Sequence, residues 1–250
     1  MNIYIAFTLI AVVAYLIGSV NFARIIGWFS RKKDITKLGS GNPGTMNMLR
    51  TMGFVPALFT FLFEIGKTGL CCLLSKYLIE TFYGYGDLAF YFTGLFVVLG
   101  SNYPIYYNFK GGKGVACTAG IFLFSPLWWI GLIIFFAFAI VLAIFEYGFI
   151  SSLAFILGMA IATTIDVYIH AVPYAWLITV IVWTLTAMTF LKHRGNFRRF
   201  FKGQESKIGF KRALSKVFKK QKGVEEISEE QVESVPEAEI VIEDIEKKDE

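Results

Sequence analysis

Charge is scarce in this sequence. Only 17% of its 250 residues are Asp, Glu, Lys or Arg, against roughly 25% in soluble domains. Apolar residues take their place: 56% of the chain is hydrophobic, and mean hydropathy is +0.58. The deficit excludes an ordinary soluble globule and a disordered chain, and it points to a polytopic membrane protein. Cysteine is limited to Cys71, Cys72 and Cys117. Two are adjacent and all lie in apolar text, which excludes a disulfide scaffold and fits no zinc spacing. They read as small packing residues. Histidine occurs at His170 and His193 alone, and no cluster of His, Cys and carboxylates suggests a metal. No nucleophile elbow supports Ser-His-Asp chemistry.

The little charge there is falls unevenly. Residues 1–191 hold 10 Lys/Arg and 6 Asp/Glu, residues 192–222 hold 12 and 1, and residues 223–250 hold 2 and 12. This divides the chain into a membrane body (1–205), a basic juxtamembrane segment (206–222) and an acidic tail (223–250). Within 207–222, Phe210, Leu214, Val217 and Phe218 recur at helical spacing among lysines, as in a helix lying on an anionic leaflet. The Glu-rich tail has no aromatic residue, and the expectation is disorder.

Met1–Ile17 carries no charge, so the N-terminal run is expected to be a retained span rather than a signal peptide. Apolar runs cover about 3–29, 53–79, 87–108, 127–145, 149–169 and 172–191, each close to the ~20 residues that cross a bilayer. Lys and Arg collect in 30–52, 109–114 and beyond 191, which places those three stretches in the cytoplasm. An even number of crossings must then separate 109–114 from 192. The short run Val115–Pro126 therefore counts as a fourth helix there, and the expected fold is all-α with seven transmembrane helices, one short or broken; the alternative is that this stretch is re-entrant and one later run is interfacial. The N-terminus is expected outside and the C-terminus inside, and His170 falls on the outer side.

The polar chemistry lies in the three cytoplasmic stretches. The first is Gly39-Ser40-Gly41-Asn42-Pro43-Gly44-Thr45-Met46-Asn47-Met48-Leu49-Arg50. Its glycines allow tight turns, and exposed N–H groups near a helix starting at Gly44 would suit an anion. The second, Lys110-Gly111-Gly112-Lys113-Gly114-Val115, is not a Walker A loop, because Gly114 stands where Ser or Thr is required. Its backbone amides and Lys113 nevertheless suit a phosphate. The third runs from His193-Arg194-Gly195-Asn196 to Arg199, Gly203 and Glu205. On a helix, His193 and Asn196 would share a face. Each stretch alone also reads as a turn or a topology charge. Together they converge on a phosphorylated, partly apolar substrate.

These residues resemble the bacterial acyl-phosphate–glycerol-3-phosphate acyltransferases. The resemblance covers about residues 1–208. Its early signature is Gly18-Ser19, Asp34-Ile35, Ser40-Gly41-Asn42, Gly44, Asn47 and Arg50. Its middle signature is Lys110 through Ala116, and its late one is His193-Arg194, Asn196, Arg199, Gly203 and Glu205. Glu64 and Lys67 match an acidic-x-x-Lys element of the same family. Ser101 stands at a usual histidine, Asn21 at a proline, Met46 and Cys117 at threonines, and the arginine usual near Glu146-Tyr147 is lost, although Ser152 fills one serine position.

The resemblance implies acyl transfer from acyl phosphate to the 1-hydroxyl of glycerol 3-phosphate at the bacterial inner membrane. Neither a cofactor nor nucleic acid is expected, membrane lipid is an expected partner, and the acyl chain should lie against apolar helix faces within the bilayer. Arg50, Lys113, His193 and Asn196 are assigned to the glycerol 3-phosphate phosphate or the reacting centre. Ser40, Gly41, Asn42, Gly44, Asn47 and Ser152 are assigned to the acyl-phosphate head, with Gly111, Gly112 and Gly114 supplying backbone to phosphate. Two alternatives stand beside this: a small-anion transporter, and a catalytically weakened relative. A transporter would place its charges near the bilayer midplane; here Glu64 and Lys67 are the exceptions to a cytoplasmic distribution.

Overall fold

The first apolar run is not one helix. In the computed structural model, which describes residues 2–207, it divides into α1 (Ile3–Ser19) and α2 (Phe22–Arg31). Asn21 caps α2, its side-chain oxygen accepting from the Arg24 amide at 3.0 Å. A break inside an apolar segment frees backbone groups that lipid cannot satisfy. Two side chains from α4 (Phe54–Tyr83) supply partners. Lys67 donates from Nζ to the carbonyls of Gly18 and Val20, at the end of α1. Glu64 accepts from the Phe22 amide at 2.9 Å, at the start of α2. The two side chains are buried and 2.6 Å apart. The cation thus meets a helix C-terminus and the anion a helix N-terminus, as the backbone dipoles favour.

After α2 come a 3-10 turn (Ile35–Lys37) and the short helix α3 (Thr45–Met52), which Gly53 (φ 97°) separates from α4. Next are α5 (Gly86–Asn102), α6 (Val115–Leu123), α7 (Trp128–Phe145), α8 (Gly148–Ile169), α9 (Ala175–Lys192) and α10 (Arg194–Phe201). Among the described residues there is no strand, and six segments are long and apolar enough to cross a membrane, the first being the broken α1–α2. Of the basic segment expected over 206–222 and the acidic tail expected over 223–250, all but residues 206 and 207 lie outside the described residues.

Helix α6 accounts for the short run singled out by charge parity. Nine residues rise only about 13 Å, under half the hydrocarbon core. Its residues Cys117–Phe122 are all buried. A Cβ on Gly120 would lie 2.7 Å from the Ile65 carbonyl oxygen of α4, so α6 is seated within protein rather than lipid. By contrast, α7 exposes Trp128, Trp129, Ile133, Phe136, Ile140 and Ile144, a face suited to lipid.

Helices α1 and α5 cross through small residues. A Cβ on Gly18 would meet the Val97 carbonyl oxygen at 2.2 Å, and one on Gly100 the Tyr15 carbonyl oxygen at 2.2 Å. Such contacts let backbones approach closely in a bilayer. Gly100→Ala is expected to cost about 1–3 kcal/mol by overpacking, whereas Gly66→Ala, with nothing within 4 Å, should be neutral or slightly stabilising. Thermal unfolding of the detergent-solubilised variants checks this; equal melting would show that the crossing tolerates a methyl group.

Candidate active site

The three glycine- and cation-bearing stretches meet in one cavity of about 120 Å³. Ser40, Asn42, Gly44, Asn47 and Arg50 come to it from the loop before α3 and from α3 itself. Gly112, Lys113 and Gly114 come from the loop before α6, and Ser152 from α8. His193, at the α9–α10 junction, and Asn196 of α10 complete the set. Met46, Phe61, Val115, Ala116 and Phe149 give the lining an apolar part.

Helices α3 and α6 both begin at this cavity. First-turn amides have no intrahelical acceptor, and the first-turn residues Thr45, Met46, Val115, Ala116 and Cys117 all line it. Two positive dipole ends thus serve one space, an arrangement that favours anions.

Several glycines act differently from the sequence expectation. The Gly112 amide donates to the Ser101 carbonyl (3.1 Å), the Gly41 amide to Leu38 (2.9 Å) and the Gly44 amide to Asn42 (3.0 Å). They shape the loops instead of cradling phosphate, and the free donors are the helix starts. Gly41 adopts φ +71° in its turn and does not line the cavity. Gly111 does not line it either: a Cβ there would sit 2.2 Å from the Ser101 carbonyl oxygen, so its place is set by packing. Gly114 holds φ +70° beside Asn102 and caps α6.

Asn47 is likewise spent. Its Nδ2 donates to the carbonyls of Ile35 (3.2 Å) and Leu38 (2.9 Å), while Oδ1 accepts from the Ser40 amide (3.0 Å). It positions the Ser40 loop, and its amide is not free for phosphate. Cys117 is also not a plain packing residue, since its thiol donates to Glu64 at 3.1 Å.

The cationic part is a chain of hydrogen bonds. Lys113 Nζ donates to Asn196 Oδ1, Asn196 Nδ2 donates to Glu205 Oε1 at 2.7 Å, and Arg199 Nε donates to Glu205 Oε2 at 2.7 Å. Arg50 Nη2 donates to the Ser206 carbonyl at 3.2 Å, and its buried Nε has no protein partner. Burial pulls the Lys113 ammonium down to about 8; Arg199 and Arg50 add to the fall, and Glu205 opposes it. Burial also lowers Arg50 from its ordinary value, against the pull of Glu205.

His193 is 2% exposed. Its Nδ1 lies 2.7 Å from the Thr189 carbonyl oxygen, which can only accept, so Nδ1 carries the proton. Burial, then the charge of Lys113, holds the ring down to about 4. It is therefore neutral at pH 7, with its lone pair on Nε2.

Glu205 is the site residue the sequence assignments missed. It is the one acidic residue among the twelve Lys and Arg of 192–222, and that isolation was the available signal. Asn21, Thr45, Glu64 and Ser101 also line the cavity; Asn21 and Ser101 are two of the positions where the chain departs from the family pattern it resembles.

Fold and site together define a polytopic membrane protein with an anion-receiving cavity at one end of its helices. A family model for glycerol-3-phosphate acyltransferase matches residues 8–203. The chain is 37% identical over 204 residues to the glycerol-3-phosphate acyltransferase of Francisella tularensis subsp. mediasiatica (strain FSC147), covering 81% of this chain and 93% of the relative. It is 36% identical over 196 residues to that of Nitrosomonas eutropha, covering 78% and 94%. The fold is similar to crystal structures of PlsY, an integral membrane glycerol 3-phosphate acyltransferase. The glycerol 3-phosphate form matches with a TM-score of 0.69 at 26% identity, covering 83% of this chain and 98% of that one. The lysophosphatidic acid form matches with a TM-score of 0.67. The chain belongs to the glycerol-3-phosphate acyltransferase family, and it is a multi-pass bacterial membrane protein.

Proposed function

We propose that this protein transfers an acyl group from acyl phosphate to the 1-hydroxyl of sn-glycerol 3-phosphate, giving lysophosphatidate and phosphate. The observation that carries this reading is the convergence of two helix N-termini, Arg50, Lys113 and a neutral histidine on one cavity with an apolar part. Both substrates bear a phosphate, and one bears an acyl chain.

An acyl phosphate is already activated, so placement and electrostatics supply most of the catalysis. Arg50, Lys113, Asn196 and the first-turn amides of α3 and α6 hold the phosphates. Ser40, Asn42 and Ser152 serve the acyl-phosphate head. The substrate hydroxyl donates to His193 Nε2 and its oxygen attacks the acyl carbonyl. As the new C–O bond forms, the bond from the acyl carbon to the phosphate oxygen breaks. The hydroxyl proton passes, through Nε2 or directly, to the departing phosphate. A ring held near 4 is a weak base, so His193 mainly orients the hydroxyl and relays its proton.

Glu64 and Lys67 were the two charges whose place suited the transporter alternative. Both are engaged at the α1–α2 break, which gives them a structural task without transport. The test of the proposed reaction is purified protein supplied with glycerol 3-phosphate and, in parallel, acyl phosphate, acyl-CoA or acyl carrier protein thioester. Lysophosphatidate is expected from acyl phosphate alone; its absence there, or equal use of a thioester, overturns the reading.

In this reading α6 brings the six long spans to seven, residues 1–205 form the catalytic membrane body, and the basic 206–222 and acidic 223–250 segments follow it in the cytoplasm. The N-terminus lies outside, and the active site faces in. The charge distribution supports this orientation. Cysteines substituted near Asn42, Lys113 and Asn196 should react with an impermeant thiol reagent only from the cytoplasmic side, and external labelling of any one contradicts it.

The lowered Lys113 sets a pH dependence. Its charge is lost as pH rises through about 8 in the free protein, and kcat/KM reports the free enzyme. A fall in kcat/KM for glycerol 3-phosphate is therefore expected above about pH 8. A neutral His193 should add no inflection near 6.5. A profile flat up to the ordinary lysine range contradicts the assignment of Lys113 to phosphate.

A further inference from the structure

A second concavity lies on the outer face of α2 and shares no lining residue with the active cavity. Arg24, Trp28, Lys33, Asp34 and Tyr107 line it. The Arg24 guanidinium sits over the Tyr107 ring, 4.3 Å from its centroid. Its Nη2 donates to the Lys110 carbonyl at 3.1 Å, and its Nε is buried with no protein partner. A guanidinium has five N–H donors. Braced against an aromatic face with donors to spare, it suits an oxyanion approached edge-on. Asp34 also lines the concavity: its Oδ1 caps the 3-10 turn, accepting from the Thr36 amide at 2.9 Å and hydroxyl at 2.7 Å, and its one negative charge, which Arg24 feels, is outnumbered by Arg24 and Lys33 in the same lining.

The surroundings name the occupant. Trp28 is 61% and Phe29 82% exposed, and Lys32, Lys33 and Lys110 are exposed beside them. Exposed aromatics and cations at one level are the composition of a membrane–water boundary. The helix also continues the lipid-facing first segment. We propose that this face of α2, with the turn carrying Tyr107 and Lys110, binds the phosphodiester headgroup of an anionic membrane lipid. Asn108 and Phe109 hold left-handed φ values of 51° and 59° in that turn, which fixes an unusual backbone path for residues with side chains. The same turn leads into Lys113, so a headgroup on Arg24 sits against the backbone that delivers the catalytic lysine.

The test is native mass spectrometry of the full-length protein, purified in detergent and incubated with phosphatidylglycerol or phosphatidylcholine. It needs no turnover, so it stands or falls apart from the proposed reaction. The wild type is expected to retain one phosphatidylglycerol in preference to phosphatidylcholine. Arg24→Gln and Lys33→Gln should each reduce that retention about five-fold, the scale of one cation near a charged surface. Lys33 is exposed, so its variant keeps the test sound if Arg24→Gln folds poorly. Lys202→Gln, another exposed lysine on a different element, and Lys113→Met should retain the lipid. Equal retention of phosphatidylcholine overturns the proposal, as does undiminished binding in Lys33→Gln. Loss of the lipid in Lys113→Met overturns it too, by placing that lipid in the active cavity.

Discussion

Replacing Lys113 with methionine is expected to lower the efficiency of acyl transfer ten- to a hundred-fold or more. Methionine keeps much of the apolar stem of this largely buried side chain, so packing changes little. What disappears is a cation that donates to Asn196 and faces the carboxylate of Glu205. A charge-assisted hydrogen bond to phosphate contributes roughly 1.5–3 kcal/mol, and each ~1.4 kcal/mol is a factor of ten in rate. Lys32→Met is the comparison, because Lys32 is exposed and lies outside the cavity lining. The assay requires equal amounts of folded protein. If both variants retain the same efficiency, Lys113 is only a topology charge and the phosphate assignment is wrong.

The second large effect is on folding. Lys67→Met leaves Glu64 as a buried, uncompensated carboxylate and strips the carbonyls of Gly18 and Val20 of their donor. Breaking one side of a buried pair costs about 3–5 kcal/mol, a large part of what holds a protein together. The variant is expected to unfold at much lower temperature in detergent, or to accumulate poorly in the membrane. Glu64→Gln combined with Lys67→Met removes the stranded charge and should regain part of the loss. Melting of Lys67→Met at the wild-type temperature would show that the pair does not staple the α1–α2 break.

That break also marks the limit of what could be read from the chain. Hydropathy stays high from Ile3 to Phe29, so the run reads as one span. The interruption at Val20–Asn21 is stabilised by Glu64 and Lys67, more than 40 positions away. Asn21, which caps α2, is a local sign of the break, but the partners that satisfy its freed backbone groups are not within any local window. The short helix α6 was legible for the opposite reason: Lys110 and Lys113 before it and the basic run from 192 on call for an even number of crossings between them, which singled out the run whatever its length.

The same contrast holds in the site. Lys113, Arg50, His193 and Asn196 stood out because cations, a rare histidine and glycines interrupt apolar text, and all four do meet at one cavity. The division of labour among the glycines and asparagines was not legible. Whether an amide is free or spent depends on which carbonyl the fold brings to it, as Ser101 is brought to Gly112 and Ile35 to Asn47. Glu205 entered the cavity for a similar reason, through bonds with Asn196 and Arg199 that only the turn after α10 allows.

The reaction itself is tested most directly by following one oxygen atom. Glycerol 3-phosphate carrying a heavy-oxygen label in its 1-hydroxyl is supplied with acyl phosphate to the purified protein, and both products are analysed by mass spectrometry. Attack of that hydroxyl on the acyl carbon leaves the label wholly in the ester of lysophosphatidate, with unlabelled phosphate released in equal amount. Label in the released phosphate, or no lysophosphatidate from these two substrates, would contradict acyl transfer at this site.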